Sequence, residues 1–152
     1  ETLFNWLLPR LGGARCLDLF AGSGALGLEA LSRGAASVVF VDNAAAAIST
    51  LRQNVDTLQA DAARIVKADA RKFLVQGAHG PFDIVFMDPP YALEALGEYC
   101  QLLADSGVLR DGALLYIEDD AGRDWPELPA GWTIDREGKA GNVHYALVST
   151  GS

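Results

Sequence analysis

Four aspartates stand at or just beyond the ends of short apolar runs, a spacing that suggests one shared binding rim rather than four separate surface charges. Arg15-Cys16-Leu17-Asp18-Leu19-Phe20 leads into a glycine loop, and Val38-Val39-Phe40-Val41 ends on Asp42-Asn43. Arg64-Ile65-Val66-Lys67 is followed by Asp69-Ala70, and Phe82-Asp83-Ile84-Val85-Phe86-Met87 ends on Asp88-Pro89-Pro90-Tyr91. A single Asp in such a place is ordinarily a turn or helix-capping residue. Four in succession argue for a row of hydrogen-bond acceptors.

The loop Ala21-Gly22-Ser23-Gly24 runs on to Gly27, so Gly22-x-Gly24-x-x-Gly27 satisfies the dinucleotide fingerprint by letter. Asp42 lies close to the ~20-residue offset of a ribose-binding acid. Asp18 argues against a dinucleotide, because a carboxylate one turn before the loop would face the pyrophosphate and repel it. A ligand with a cation and no phosphate fits better. S-adenosylmethionine (SAM) carries an ammonium and a sulfonium, and keeps a ribose diol and an adenine. In this reading Asp18 faces the cationic amino-acid part, directly or through water. Phe20, Ala21, Gly22, Ser23 and Gly24 form the loop that approaches the methionine and ribose. Asp42, followed by Asn43, takes the ribose hydroxyls, and Asp69, followed by Ala70, receives the adenine amine.

Asp88-Pro89-Pro90-Tyr91 carries the reaction. A carboxylate and a backbone carbonyl supply two acceptors for an exocyclic amine, and the two prolines hold that backbone rigid. Tyr91 offers a flat face on which a planar base can stack. Asp88, Pro89, Pro90 and Tyr91 are therefore the candidate catalytic residues. His79 and His144 read as surface or satisfied histidines, Glu118-Asp119-Asp120 as a solvated strand end, and Trp6, Trp125 and Trp132 as packing residues.

The surrounding pattern must place those acids on one rim. Leu3, Phe4, Leu7, Leu8 and Leu11 recur at helical spacing over residues 1–11 and stop at Pro9 and Gly12-Gly13. Short runs that are apolar on both faces then alternate with helical stretches: strand 15–20, helix to Gly34, strand 38–41, helix to Leu58, strand 64–67, a short helix through Leu74, strand 82–87, helix 93–103, and strand 114–117. That alternation predicts a doubly wound α/β domain with a mostly parallel, Rossmann-like sheet. Residues 132–135 and 143–148, joined by 137–142, leave no room for a crossover helix and predict an antiparallel C-terminal hairpin. One domain spanning 1–152 is expected.

The composition bounds the partners. With 50% hydrophobic and 21% charged residues, the 152-residue chain is foldable. Its formal charge of −8 opposes nucleic acid or an anionic membrane as a partner. Cys16 and Cys100 read as buried thiols in a reducing compartment, and no metal-ligand spacing is present. No apolar run approaches the ~20 residues of a membrane-spanning helix, so a cytoplasmic location is expected, and the protein is read as a monomer.

Three segments carry a family resemblance: Glu1-Thr2-Leu3-Phe4-Asn5-Trp6-Leu7, Leu17 through Gly34, and Phe86-Met87-Asp88-Pro89-Pro90-Tyr91. Together they resemble the bacterial 16S ribosomal RNA (guanine-N2)-methyltransferase family of the RsmD type, a class I SAM-dependent methyltransferase fold. The resemblance implies SAM as cofactor and methyl transfer to the N2 amine of a guanine in 16S rRNA, within the small ribosomal subunit or an assembly intermediate. It also implies a basic N-terminal arm upstream of Glu1, whose Lys and Arg would reduce the conflict with the net charge. Two rival readings stay open: adenine-N6 methylation of DNA, which the same tetrapeptide would serve, and a non-catalytic SAM-binding assembly factor.

Overall fold

The computed structural model describes residues 2–77, 79–89 and 95–151. Elements follow in the order α1 (Thr2–Leu11), β1 (Arg15–Leu19), α2 (Ala25–Ser32), β2 (Ser37–Asp42), α3 (Ala45–Thr57), β3 (Ala63–Lys67) and α4 (Ala70–Gln76). They continue with β4 (Phe82–Met87), α5 (Leu96–Ser106), β5 (Leu109–Asp120), β6 (Thr133–Ala140) and β7 (Val143–Ser149). One seven-stranded sheet has the order β3-β2-β1-β4-β5-β7-β6. The first five strands are parallel, and β7 runs antiparallel between β5 and β6. This is the expected doubly wound architecture with its antiparallel hairpin.

The central strands are apolar on both faces because both faces are covered. Leu7 and Leu11 of α1, Ala30 of α2 and Leu51 of α3 pack with Cys16, Val38, Phe40, Ile84 and Phe86 on one side. Phe73 and Leu74 of α4 and Tyr99, Cys100 and Leu103 of α5 pack with Leu17, Leu19, Val41, Val85 and Met87 on the other. Side chains alternate along each strand, so Asp18 shares the α2 face with Cys16. Gly27 lets α2 come close to β2, since a Cβ there would run into the Phe40 ring.

Several boundaries differ from the sequence-based expectation. Helix α1 ends at Leu11 as expected, but it runs through Pro9 rather than stopping there. Strand β5 runs from Leu109 rather than Leu114, because its first residues pair with the start of β4 across a bulge. The hairpin turn is only Gly141-Asn142, and Glu137, Gly138 and Lys139 belong to β6. Those residues looked like a loop because β6 is an edge strand with mostly exposed side chains. Both cysteines are free and buried, and burial pushes each thiol up to about 12. Among the described residues, no helix is long and apolar enough to cross a membrane.

Candidate active site at the carboxyl ends of the parallel strands

Strand order reverses between β1 and β4, and in a sheet of this class the crevice beyond the strand ends at that switch point is the place for a ligand. A cavity of about 800 Å³ lies there, within the range of small-molecule sites. Its wall includes Asp42 and Asn43 after β2, Asp69 and Ala70 after β3, Asp88 and Pro89 after β4, and Phe20 after β1. The parallel strands thus deliver three acids to one cleft.

Asp18 lies a layer below. It is 3% exposed, and its Oδ2 accepts the backbone N–H of Gly27 at 3.0 Å, at the start of α2. Burial, the largest cause, pushes its carboxyl up to about 7; the Gly27 bond opposes that rise, while Asp88 and Asp42 add to it. In a dinucleotide-binding fold the first turn of this helix receives a pyrophosphate. Here a carboxylate already takes one of those donors.

Asp42 closes the glycine loop from above. Its Oδ2 accepts Gly22 N–H at 2.9 Å and its Oδ1 accepts Ala44 N–H at 3.0 Å. Each oxygen keeps a second lone pair for a ligand. Asp69 caps α4, with Oδ1 accepting Lys72 N–H at 3.1 Å, so its Oδ2 can serve a donor in the cavity. Gly22 has φ 58 and Gly24 φ 85, backbone that glycine adopts without strain.

Phe20 has φ 66, a left-handed conformation costing a non-glycine residue roughly 1–2 kcal/mol. Its ring meets Tyr99 of α5 edge-on at 4.9 Å, which helps hold it at the mouth of the cavity. The Arg71 guanidinium lies 5.4 Å from the Tyr99 ring centre, and Arg71 is also paired with Glu98 through its Nη2 at 2.7 Å. Among the described residues, Arg71 is the one basic side chain on the wall and Glu98 neutralises it, so the remaining charge there is acidic.

Asp88 marks the β4 end. Burial first, and the nearby Glu118 carboxylate second, push its carboxyl up to about 6. Glu118 is itself held: the Tyr116 hydroxyl donates to its Oε2 at 2.7 Å. The acid-lined wall, the glycine loop and the helix start already bonded to Asp18 suit a cationic ligand without phosphate. SAM meets that description. Among the described residues no group of His, Cys, Asp or Glu is arranged to hold a metal ion.

The family described as conserved hypothetical protein 95 matches residues 1–149. Ribosomal RNA small subunit methyltransferase D of Escherichia coli K12 is 48% identical over 147 residues, covering 97% of this chain and 74% of its own length. The chain belongs to the ribosomal RNA small subunit methyltransferase D family. The enzyme of that name from Haemophilus influenzae is 39% identical over 151 residues, covering 97% of this chain and 77% of its own. A solved putative methyltransferase from Escherichia coli superposes with a TM-score of 0.94 at 47% identity, covering 100% of this chain and 85% of that one.

In this methyltransferase D-family chain the sequence-expected residues fall into three groups. Phe20, Asp42, Asn43, Asp69, Ala70, Asp88 and Pro89 come together around the cavity. Asp18, Ala21, Gly22, Ser23 and Gly24 lie off its wall: Asp18 takes a backbone donor first, and the Ser23 carbonyl accepts from Asn54 on the opposite side of the loop. Pro90 and Tyr91 lie outside the described residues. Sequence reasoning missed Arg71 and Tyr99, which reach the wall only because α4 packs on α5. It also misread the Glu118-Asp119-Asp120 strand end as solvated. Glu118 is bonded to Tyr116, and Asp119 is 8% exposed and paired with Arg123 at 3.2 Å.

Proposed function

We infer that this chain transfers the methyl group of SAM to the N2 amine of a guanine in 16S rRNA of the small ribosomal subunit. The observation that carries the reading is the convergence of Asp42, Asp69 and Asp88 on one cavity at the switch point of the sheet. Membership of the methyltransferase D family supports it, and the guanine-N2 target rests on the sequence resemblance. Asp42 with Asn43 would hold the ribose of SAM, Asp69 its adenine amine, and Phe20 and Ala70 its apolar flanks. Bound there, SAM supplies a methyl group made electrophilic by its sulfonium.

The chain's own work centres on Asp88. A guanine amine is a poor nucleophile because its lone pair is delocalised into the ring. With Asp88 and the Pro89 carbonyl accepting its two N–H bonds, the nitrogen is held with its lone pair turned toward the cavity. Positioning then contributes much of the rate. The amine proton becomes acidic once the nitrogen is alkylated, and Asp88, pushed up to about 6, is the acceptor next to it. The rigid Pro89 backbone keeps both acceptors aimed.

The test presents tritiated SAM together with unmethylated small subunits, free 16S rRNA and duplex DNA, and digests each product to nucleosides. N2-methylguanosine from ribosomal RNA is expected. N6-methyladenosine or its deoxy form would favour the adenine reading, and tight SAM binding without transfer to any acceptor would favour an assembly factor.

A further inference from the structure

We propose that Glu118 is a specificity-determining residue, accepting the N1–H of the target guanine while Asp88 and Pro89 hold its N2 amine. This rests on the function proposed above and adds how the base would be chosen.

The sheet aligns the two carboxylates. Phe86 pairs with Tyr116 and Met87 with Ile117 in parallel register. Asp88 follows Met87 just past the end of β4, and Glu118 follows Ile117 within β5, so the two stand on adjacent strand paths whose spacing is ~4.8 Å. Glu118 stays in the sheet on the face of Tyr116 two residues before it, while Asp88 lies at the β4 end next to it. The cavity wall includes Asp88 but not Glu118. Glu118 stands beyond it on the β5 side, away from Asp42 and Asp69, where an acceptor base must enter if SAM fills the β1–β3 half.

Glu118 is also held for this task. Its Oε2 is fixed by the Tyr116 hydroxyl, and among the described residues Oε1 has no hydrogen-bond donor. Tyr116, 5% exposed, rests near Tyr145 with ring centres 6.4 Å apart. Tyr145 pairs with Glu118 across β5 and β7 and lies 5.8 Å from the Trp6 ring of α1. A row of aromatic rings thus sets the height of one carboxylate oxygen beside Asp88. The closeness is felt at Asp88, whose carboxyl is raised in part by the Glu118 charge.

Base chemistry gives this pair a meaning. The Watson–Crick edge of guanine offers adjacent donors, N1–H and N2–H, to two adjacent acceptors. Adenine presents a bare N1 beside its amine, so a carboxylate there meets a lone pair. A site built around a donor rejects the analogue that lacks it more strongly than size alone can.

The test rebuilds small subunits with either guanosine or 2-aminopurine riboside at the position that the wild-type protein methylates. 2-Aminopurine keeps the amine and lacks the N1 proton. Wild type is expected to favour guanosine by roughly tenfold or more in kcat/KM. Glu118→Gln, whose amide can turn its NH2 toward a bare N1, is expected to lose that preference while binding SAM within a few-fold of wild type. Tyr116→Phe, which releases the Glu118 carboxylate, is expected to lose part of it. Equal wild-type rates on the two bases, or an unchanged preference in both SAM-binding variants, overturn the role of Glu118 and leave the methylation reading standing. Wild type that forms no N2-methylguanosine on unaltered subunits overturns both.

Discussion

The Oδ2 of Asp18 accepts the backbone N–H of Gly27 at 3.0 Å, joining the buried end of β1 to the first turn of α2. Its carboxyl is pushed up to about 7 by burial first, whereas in the unfolded chain it titrates near 3.8. The folded state therefore holds the proton more tightly, and the stability this gives is fully present below about pH 4 and lost as pH rises through 7. Asp88, pushed up to about 6, acts in the same direction. Asp18→Asn keeps a carbonyl oxygen for Gly27 and is expected to flatten the fall in stability between pH 4 and 7 in denaturant titrations. A fall as steep in the variant as in wild type would remove Asp18 as its source.

Asp88→Asn is expected to reduce turnover at least a hundredfold, since general-base and positioning groups commonly contribute that much. SAM affinity should stay within a few-fold, because the amide preserves the shape of the wall. Single-turnover methylation and calorimetry on the same preparation separate the two effects. Wild-type turnover in Asp88→Asn would reduce this aspartate to a turn residue.

The fold and most of the wall were legible because parallel strands turn a linear spacing into a shared rim: Asp42, Asp69 and Asp88 needed only the strand–helix alternation to be placed together. Asp18 was legible as important but not in direction. Its alternation places it on the α2 face, off the cavity wall, where it accepts Gly27 N–H. Arg71 and Tyr99 carried no local signal, since only the packing of α4 on α5 brings them to the cavity. Glu118 did carry one. Tyr116 precedes it by two residues, and two residues along a strand means the same face.

Glu98 and Arg71 form an exposed pair, with Nη1 and Oε2 in contact at 2.6 Å, beside an otherwise acidic wall. The pair holds the Glu98 carboxyl below its usual range, the hydrogen bond to Arg71 being the main cause. Such exposed pairs contribute little to stability, so Glu98→Gln is expected to fold like wild type. It leaves the Arg71 charge uncompensated on the cavity wall. SAM affinity is expected to fall a few-fold at low salt, and the loss should shrink as salt rises. Arg71→Gln should not show that loss. Equal affinities in wild type and Glu98→Gln at low salt would show that the wall charge is not felt by the ligand.

His144 is 7% exposed and stacks flat on Trp125, ring centres 3.6 Å apart. The sequence reads it as a surface or satisfied histidine; instead, Trp125 covers its ring, and its Nε2 has no hydrogen-bond partner among the described residues. A buried polar atom without a partner costs about 1–3 kcal/mol. His144→Phe removes that atom and keeps a flat ring against Trp125, at the risk of slight overpacking, since the phenyl ring is larger. The expected result is a Tm several degrees higher, at about 2–4 °C per kcal/mol for a chain of this size, with the Trp125 stack preserved in near-ultraviolet circular dichroism. His144→Ala should lower Tm, because it removes the ring contact as well as the polar atom. If His144→Phe instead unfolds at a lower temperature with the stack intact, Nε2 is satisfied in solution and the ring was held by that bond rather than by Trp125.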